Sequence, residues 1–572
     1  MSQKQFILAH DLGTTGNKAT LYDAEGCLVG SAFESYGVEY PQTGWAEQNP
    51  EDWWQAICAS TQKLLGQTGV AKDALACITF SGQMMGCVPL DKQGRPLRHA
   101  IIWADQRAVA QEQWLSQRIP PEALYRITGH RLSASYTICK ILWLRDHQPD
   151  IYRAAHKFVQ AKDAMVARLT GQFVTDHSDA SSTNLYDLER GDWSERILEA
   201  AQLNPAQLPA LRRSIDVVGE VRAEAAAEVG VAAGTPVVIG AGDGLCAAAG
   251  AGVVDEGDAF NYIGSSSWIA LATRQPLYDP QQKTFCFAHL IPGMFSPCGS
   301  MQAAGASYQW ARDHLGLPET QAAAALGVSP YDLMNLSAEK SPVGANGLLF
   351  LPYLLGERSP RWNPRARGGF IGLTVRHSRA DMLRAVLEGI TLNLRAILEA
   401  FTGQGASIQA MRLIGGGARD RFWNQMMANI YGLPVQRLAI LEEATSMGAA
   451  VVGGVGVGLY HDFSIAKKMN RIVEVIEPDP AAQVTYDKLY PIFEATYHAL
   501  APIYDKLAEL LRGTEGRCHC EAGSRSNLRS GVETASPSAR SDMNQVIFKG
   551  VGQSQWDDTK SENDQPTKRL TD

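Results

Sequence analysis

Phe6-Ile-Leu-Ala-His10-Asp11-Leu-Gly-Thr14-Thr15-Gly16 begins as a short apolar run and ends in turn chemistry. Lys18 to Tyr22 then alternates again before the turn Asp23-Ala-Glu-Gly26. The pattern reads as a β-hairpin followed by a third strand near Cys27 to Phe33. Asn49 and Pro50 supply a cap and a first-turn proline for a helix over Pro50 to Leu65. A buried strand is expected at Ala76 to Phe80, ending in Ser81-Gly-Gln-Met-Met-Gly86. Strands alternating with helices on this scale define an α/β domain.

The same device recurs downstream. Phe260 to Ile263 leads into Gly264-Ser-Ser-Ser267, and Trp268 to Ala272 leads out. Two domains of related architecture facing one another across a cleft account for the recurrence, with a boundary near Gly252 to Gly257. The apolar stretch Val229 to Val254 holds Pro236 and Asp243 and is crowded with Gly and Ala, so it reads as strand, loop and helix rather than a membrane span. Beyond about Arg512 the composition turns to Ser, Gly, Arg, Asp and Thr. A disordered tail is expected from Thr514 to Asp572.

Composition narrows the function. The 572 residues are 45% hydrophobic and 20% charged, enough apolar material for two large α/β cores. A net charge of −8, from 52 Lys+Arg and 60 Asp+Glu, argues against a dedicated binder of nucleic acid or anionic membrane. Met1 to Leu8 lacks the pattern of a secretion signal. The ten cysteines are scattered without a disulfide framework, which points to reduced thiols in the cytoplasm. Cys518-His-Cys520 is the one close cluster, and it lacks the second half of a structural metal site.

Four segments carry chemistry. Asp11 to Gly16 gathers a carboxylate, two glycines and two hydroxyls after a buried strand. Its backbone N–H groups and the hydroxyls of Thr14 and Thr15 suit phosphate oxygens, and Asp11 suits water around a magnesium ion. Read alone it is equally an ordinary hairpin turn. Gly264-Ser265 repeats the logic with hydroxyls only. Gly415-Gly416-Gly417 follows an apolar strand near Met411 and precedes a helix over about Asp420 to Tyr431, so its backbone can lie flat against a base or ribose. The spacing is not that of a dinucleotide fingerprint, and no Gly-Lys-Ser/Thr phosphate loop occurs. Gly454 to Gly458 is helix-end and packing glycine. Asp243, among glycines at the end of a Val/Ile strand, could take a proton from an attacking hydroxyl or could cap the helix Leu245 to Ala251. Gln83, Met84, Met85, Trp103 and Asp105, at strand ends, suit a polyhydroxylated ligand, although Trp and Met are more often core.

Together these segments resemble the FGGY carbohydrate kinases, from Phe6 to about Leu511. One long pattern is Ser135-Tyr-Thr-Ile-Cys-Lys140-Ile-Leu-Trp143-Leu-Arg-Asp-His147, and a second runs from Gly368 through Phe370, Gly372-Leu373, Asp381-Met382 and Ala385 to Glu388. Trp45-Ala-Glu-Gln48, Gly82-Gln-Met84, Gly356-Glu-Arg-Ser-Pro360 and Ile414-Gly-Gly-Gly-Ala-Arg419 resemble the xylulokinase branch. The resemblance implies two actin-like (ribonuclease H-like) domains of the sugar kinase/heat-shock protein/actin superfamily, each a mixed five-stranded sheet, with a central cleft. Residues 1–252 would bind sugar and phosphate, 253–512 nucleotide, and 513–572 would be the tail.

By position, the resemblance makes Asp243 the general base and gives Asp11 the magnesium and the transferring phosphate. Thr14 and Thr15 would contact phosphates, with Gly264, Ser265 and Gly305 on the phosphate side. Gly415, Gly416 and Gly417 would flank adenosine, while Gln83, Met84, Met85, Trp103 and Asp105 would border the sugar. The implied reaction is transfer of the γ-phosphoryl of Mg-ATP to a hydroxyl of a ketopentose or related sugar or polyol. Relatives are commonly homodimers. Two departures bear on the acceptor: relatives of that branch usually carry His at Met85 and Asn at Gly244. Met cannot donate the hydrogen bond that His can. Two alternatives stay open, an ATP-dependent switch protein of the same superfamily and a sugar-binding relative with weak turnover.

Overall fold

The computed structural model describes the backbone of residues 5–522 and the side chains of 5–510. The described residues up to 508 form one compact unit. It is built on two seven-stranded sheets.

In the N-terminal half the hairpin Phe6–Leu12 and Gly16–Tyr22 pairs antiparallel, and Leu28–Ser35 continues it on one side. On the other side Leu75–Gly82 lies parallel to Phe6–Leu12, Pro236–Val238 follows in parallel, and Val217–Glu220 closes the edge antiparallel. The C-terminal half repeats this order. Phe295–Met301, Ser267–Leu271 and Ala259–Ile263 are successively antiparallel. Met411–Ile414 and Val435–Leu438 then add in parallel and Ile472–Ile476 antiparallel. Six strands therefore follow one path in both halves, as two actin-like domains require.

The expected five-stranded sheets are exceeded in both halves. Ala241–Gly242 returns to pair with the end of Leu75–Gly82, and Phe285–Ala288 pairs outside Phe295–Met301. Both additions are short runs that a periodicity reading does not count.

Helix signals hold where capping chemistry is strong. Pro50–Thr68 starts after Asn49, whose side chain accepts from the Glu51 N–H, and its apolar face buries Trp53, Trp54 and Ile57 against the first sheet. Arg421–Tyr431 starts after Asp420, which accepts from the Trp423 N–H.

The helices Asp243–Gly250 and Ala444–Gly456 join the halves. A Cβ on Gly250 would fall 1.7 Å from the Ala444 carbonyl oxygen, and one on Gly448 would fall 1.8 Å from that of Cys246. The backbones touch, so these two glycines set how closely the helices pack.

The last helix, Pro480–Ala522, runs past Thr514, where the composition had suggested disorder. Residues 523–572, the remainder of the expected tail, lie outside the described residues, as do the side chains of Cys518, His519 and Cys520. Among the described residues no helix is long and apolar enough to cross a membrane, and no group of three His, Cys, Asp or Glu could hold a metal ion.

Candidate active site

Strand register brings the first carboxylate into place. Asp11 stands opposite Ser81 on the parallel neighbour and opposite Lys18 on the antiparallel one. The Ser81 hydroxyl donates to Asp11 Oδ1 at 2.9 Å. Burial raises the Asp11 pKa, while Ser81 and the Lys18 charge oppose the rise. Ala241 pairs with that same Ser81, so Asp243 follows two residues beyond the row that contains Asp11.

Asp243 is the first residue of its helix and not the cap, which is Gly242. Its Oδ1 accepts the Gly244 N–H at 2.7 Å. Burial, with the Asp11 charge second, pushes its pKa up to about 7. Two carboxylates close enough to repel, one of them poised to gain or lose a proton near neutrality, are the arrangement that acid–base chemistry needs.

A network that sequence reading missed holds Asp243 from behind. The Gly242 N–H donates to Ser178 Oγ at 3.0 Å, and Ser178 donates to Asp176 at 2.6 Å. Ser214 donates to the same Asp176 oxygen at 2.7 Å. Lys162, fully buried, sits 2.7, 2.9 and 3.1 Å from Asp163, Asp176 and Asp179. The available signal was a Lys-Asp pair inside the apolar run Ala161 to Ala167.

The Gly13 to Thr15 turn is clamped from four sides. Tyr36 and Gln83 donate to the Gly13 carbonyl, at 2.6 and 3.3 Å, and Gln48 donates to that of Thr14 at 2.7 Å. The Trp103 indole donates to Thr14 Oγ1 at 2.9 Å. Gln83 also donates to Gln48 at 2.8 Å, and among the described residues its own buried Oε1 has no hydrogen-bond partner. Thr15 is exposed and offers its carbonyl to the Tyr36 N–H.

The residues expected beside the sugar divide into two kinds. Met84 packs against Gly242, whose Cβ would lie 2.7 Å from its sulfur. Met85 takes a positive φ of 64° and its carbonyl accepts Lys140 Nζ at 2.6 Å. Trp103 remains 40% exposed, open to a ligand. Asp105 is buried and already engaged: it accepts the Ala46 N–H at 2.6 Å and Arg107 Nη2 at 2.7 Å. It braces the loop that carries Trp103.

The second phosphate-type loop lies in the other half. Gly305 and Ala306 N–H groups donate to the carbonyls of Gly264 and Ser265, both at 2.9 Å. A Cβ on Gly305 would meet the Gly264 oxygen at 2.3 Å. Burial raises the pKa of Tyr262, two residues earlier, and the charges of Asp11 and Asp243 add to the rise, which sets this hairpin beside the two carboxylates.

Gly264, Ser265, Gly305, Gly416 and Gly417 share one cavity of about 540 Å³ with aromatic walls that include Tyr308 and Trp423. Gly415, at φ +86°, is pressed on the Ile263 backbone, whereas a Cβ on Gly416 would meet nothing within 4 Å. Room, apolar walls and an open glycine face fit a nucleoside, with Gly305 and Ser265 at the phosphate end.

The model of the FGGY family of carbohydrate kinases, N-terminal domain, matches residues 6–250, and that of the C-terminal domain matches 259–457. A xylulose kinase of Staphylococcus epidermidis is 33% identical over 86% of this chain and 97% of its own. A gluconokinase of Bacillus licheniformis is 32% identical over 90% of this chain and 99% of its own. A solved gluconate kinase of Lactobacillus acidophilus superimposes with a TM-score of 0.82 at 29% identity, covering 88% of this chain and 99% of that one. The chain belongs to the FGGY family of carbohydrate kinases. It is a sugar kinase, a phosphotransferase that uses ATP.

Proposed function

We propose that this kinase phosphorylates a hydroxyl of an open-chain acceptor, a ketopentose of the D-xylulose kind or a related sugar or sugar acid, with Asp243 as general base. In this reading residues 1–252 hold acceptor and phosphate and 253–512 hold the nucleotide. The observation that carries the reading is the Asp11–Asp243 pair, with the Asp243 pKa at about 7 and backbone loops from both halves beside it.

The hydroxyl proton passes to Asp243 as the oxygen forms its bond to the γ-phosphorus and the bond to the β,γ-bridging oxygen breaks. Gln83 and Trp103 orient the acceptor, and Thr14, Thr15, Gly264 and Ser265 surround the phosphates. Gly416 and Gly417 border the adenosine, while Gly415 packs on the Ile263 backbone behind them.

Ser81 takes one oxygen of Asp11, and among the described residues the other makes no hydrogen bond. A single carboxylate oxygen beside phosphate loops fits Mg²⁺, which is usually held by one or two carboxylates with phosphate and water oxygens. Bound there, it would neutralise charge on the phosphoryl oxygens.

The test is acceptor-dependent ADP release with and without Mg²⁺, on D-xylulose, D-gluconate and polyols. Turnover that requires an acceptor is expected. ADP release indifferent to every acceptor would instead favour a switch protein.

A further inference from the structure

Lys140, on the helix Thr137–His147, is fully buried, and its Nζ spends its hydrogen bonds on two backbone carbonyls, that of Met85 at 2.6 Å and that of Ser135. Lys162, equally buried, faces three carboxylates instead. Burial pushes the Lys140 pKa down to about 7, with the Asp105 charge opposing the fall. Taking an ammonium out of water is costly unless its donors are used. This lysine is placed for the backbone it holds and not for a charge pair.

That backbone is strained. Met85 sits at φ +64°, a region that L side chains rarely adopt and that persists only where the surroundings over-determine it. The ties come from both sides. Ser182 Oγ accepts the Met85 N–H at 3.3 Å and is itself fixed by Gln160 Nε2 at 3.0 Å. Three residues before Lys140, on the same face of its helix, Thr137 Oγ1 donates to the Gly86 carbonyl at 3.0 Å.

The turn Gln83 to Gly86 is joined to the reaction centre at each end. The Gln83 N–H donates to the Leu12 carbonyl at 3.0 Å, beside Asp11, and Met84 packs on Gly242, beside Asp243. Cys87 exchanges both backbone hydrogen bonds with Ile101, two residues before Trp103, at 2.9 and 3.1 Å. The nucleoside cavity is lined by other residues.

We infer that Lys140 is a positioning residue for the acceptor: by holding the Met85 carbonyl it keeps the turn Gln83 to Gly86 in the left-handed conformation that seats the acceptor against Gln83 and Trp103. Lys140 itself touches neither acceptor nor nucleotide. Loosening the turn therefore weakens acceptor binding and spares ATP. Glycine adopts a positive φ about as readily as a negative one, so Met85→Gly makes the tie from Lys140 less necessary. This inference rests on the kinase reading above and deepens its acceptor side.

The experiment measures KM for the acceptor, KM for ATP and kcat by ADP release with the full chain, on whichever of D-xylulose, D-gluconate and the polyols the wild type turns over. The variants are Lys140→Met, Lys140→Gln and Met85→Gly, with each Lys140 change also made on the Met85→Gly background. Circular dichroism melts show which are folded at the assay temperature. In the Lys140 variants acceptor KM is expected to rise about 10–100-fold, the scale of one lost charge-assisted hydrogen bond. ATP KM and kcat should stay within about threefold of wild type, the pattern of lost acceptor binding. On the Met85→Gly background the same change should raise acceptor KM no more than about threefold, a coupling that a general loss of packing does not give. ATP and acceptor KM rising together, an equal cost on both backgrounds, an acceptor KM unchanged throughout, or failure of both Lys140 variants to fold overturns the inference and leaves the kinase standing. Silence of the wild type on every acceptor removes the kinase reading and this inference with it.

Discussion

Ser178 accepts the Gly242 N–H at 3.0 Å while donating its own proton to Asp176 at 2.6 Å, so the residue before Asp243 is tied to a buried charge cluster. Ser178→Ala leaves that N–H with no acceptor and frees the strand end that aims Asp243. Steady-state kinetics should show kcat reduced about tenfold, the scale of one lost hydrogen bond, with KM for ATP little altered. An equal rise in both KM values with kcat intact would assign Ser178 no part in positioning the base.

The pH dependence follows from Asp243. Only the ionised carboxylate can take a proton, and its pKa is raised to about 7 by burial first and by Asp11 second. Acceptor kcat/KM should therefore fall as pH drops through about 7, near tenfold per unit once well below it. A profile flat from pH 8 to pH 5 would contradict the assignment.

The same shift has a stability consequence. A group whose folded pKa, about 7, exceeds its ordinary value of 3.8 contributes stability that is complete below 3.8 and lost as pH rises through about 7. Asp243→Asn removes that titration and the repulsion from Asp11. Its melting temperature should exceed that of the wild type at pH 8, by a margin that shrinks towards pH 4. A lower melting temperature at pH 8 would show that the ionised carboxylate is stabilised by contacts of its own.

Among the described residues Lys162 is the one cation paired with Asp163, Asp176 and Asp179. Lys162→Met strands three buried carboxylates. A loss of about 3–5 kcal/mol is expected in denaturant unfolding, the cost of breaking a buried pair from one side.

Gly305→Ala tests the nucleotide end separately. The added methyl would sit 2.3 Å from the Gly264 carbonyl oxygen and force the two loops apart. ATP affinity by titration should weaken about tenfold or more, about 1.4 kcal/mol, with the pH midpoint of the reaction unmoved.

Local signals carried much of this architecture. Both hairpins were legible because Asp11 to Gly16 and Gly264 to Ser267 are turn runs between apolar strands, and Asn49 and Asp420 marked real helix starts. The short pairings of Ala241–Gly242 and Phe285–Ala288 were not legible, since their partners lie far away in sequence. In the site, Asp11, Asp243 and the glycine loops stood out as turn and strand-end residues. Ser178 and Lys162 did not, because their roles come from tertiary contacts that leave no periodic trace. Asp105 shows the converse: its residue type suggested a hydroxyl-binding group, and folding gave its oxygens to Arg107 and Ala46.

The central claim is that Asp243 takes the acceptor proton. The most direct measurement is acceptor-stimulated ADP release by Asp243→Asn beside the wild type, with ATP binding followed by titration on the same samples. ATP affinity within about threefold of wild type and turnover reduced by about 10²–10⁴, the usual worth of a general base, are expected. Full acceptor-dependent turnover by the Asn variant would contradict the account.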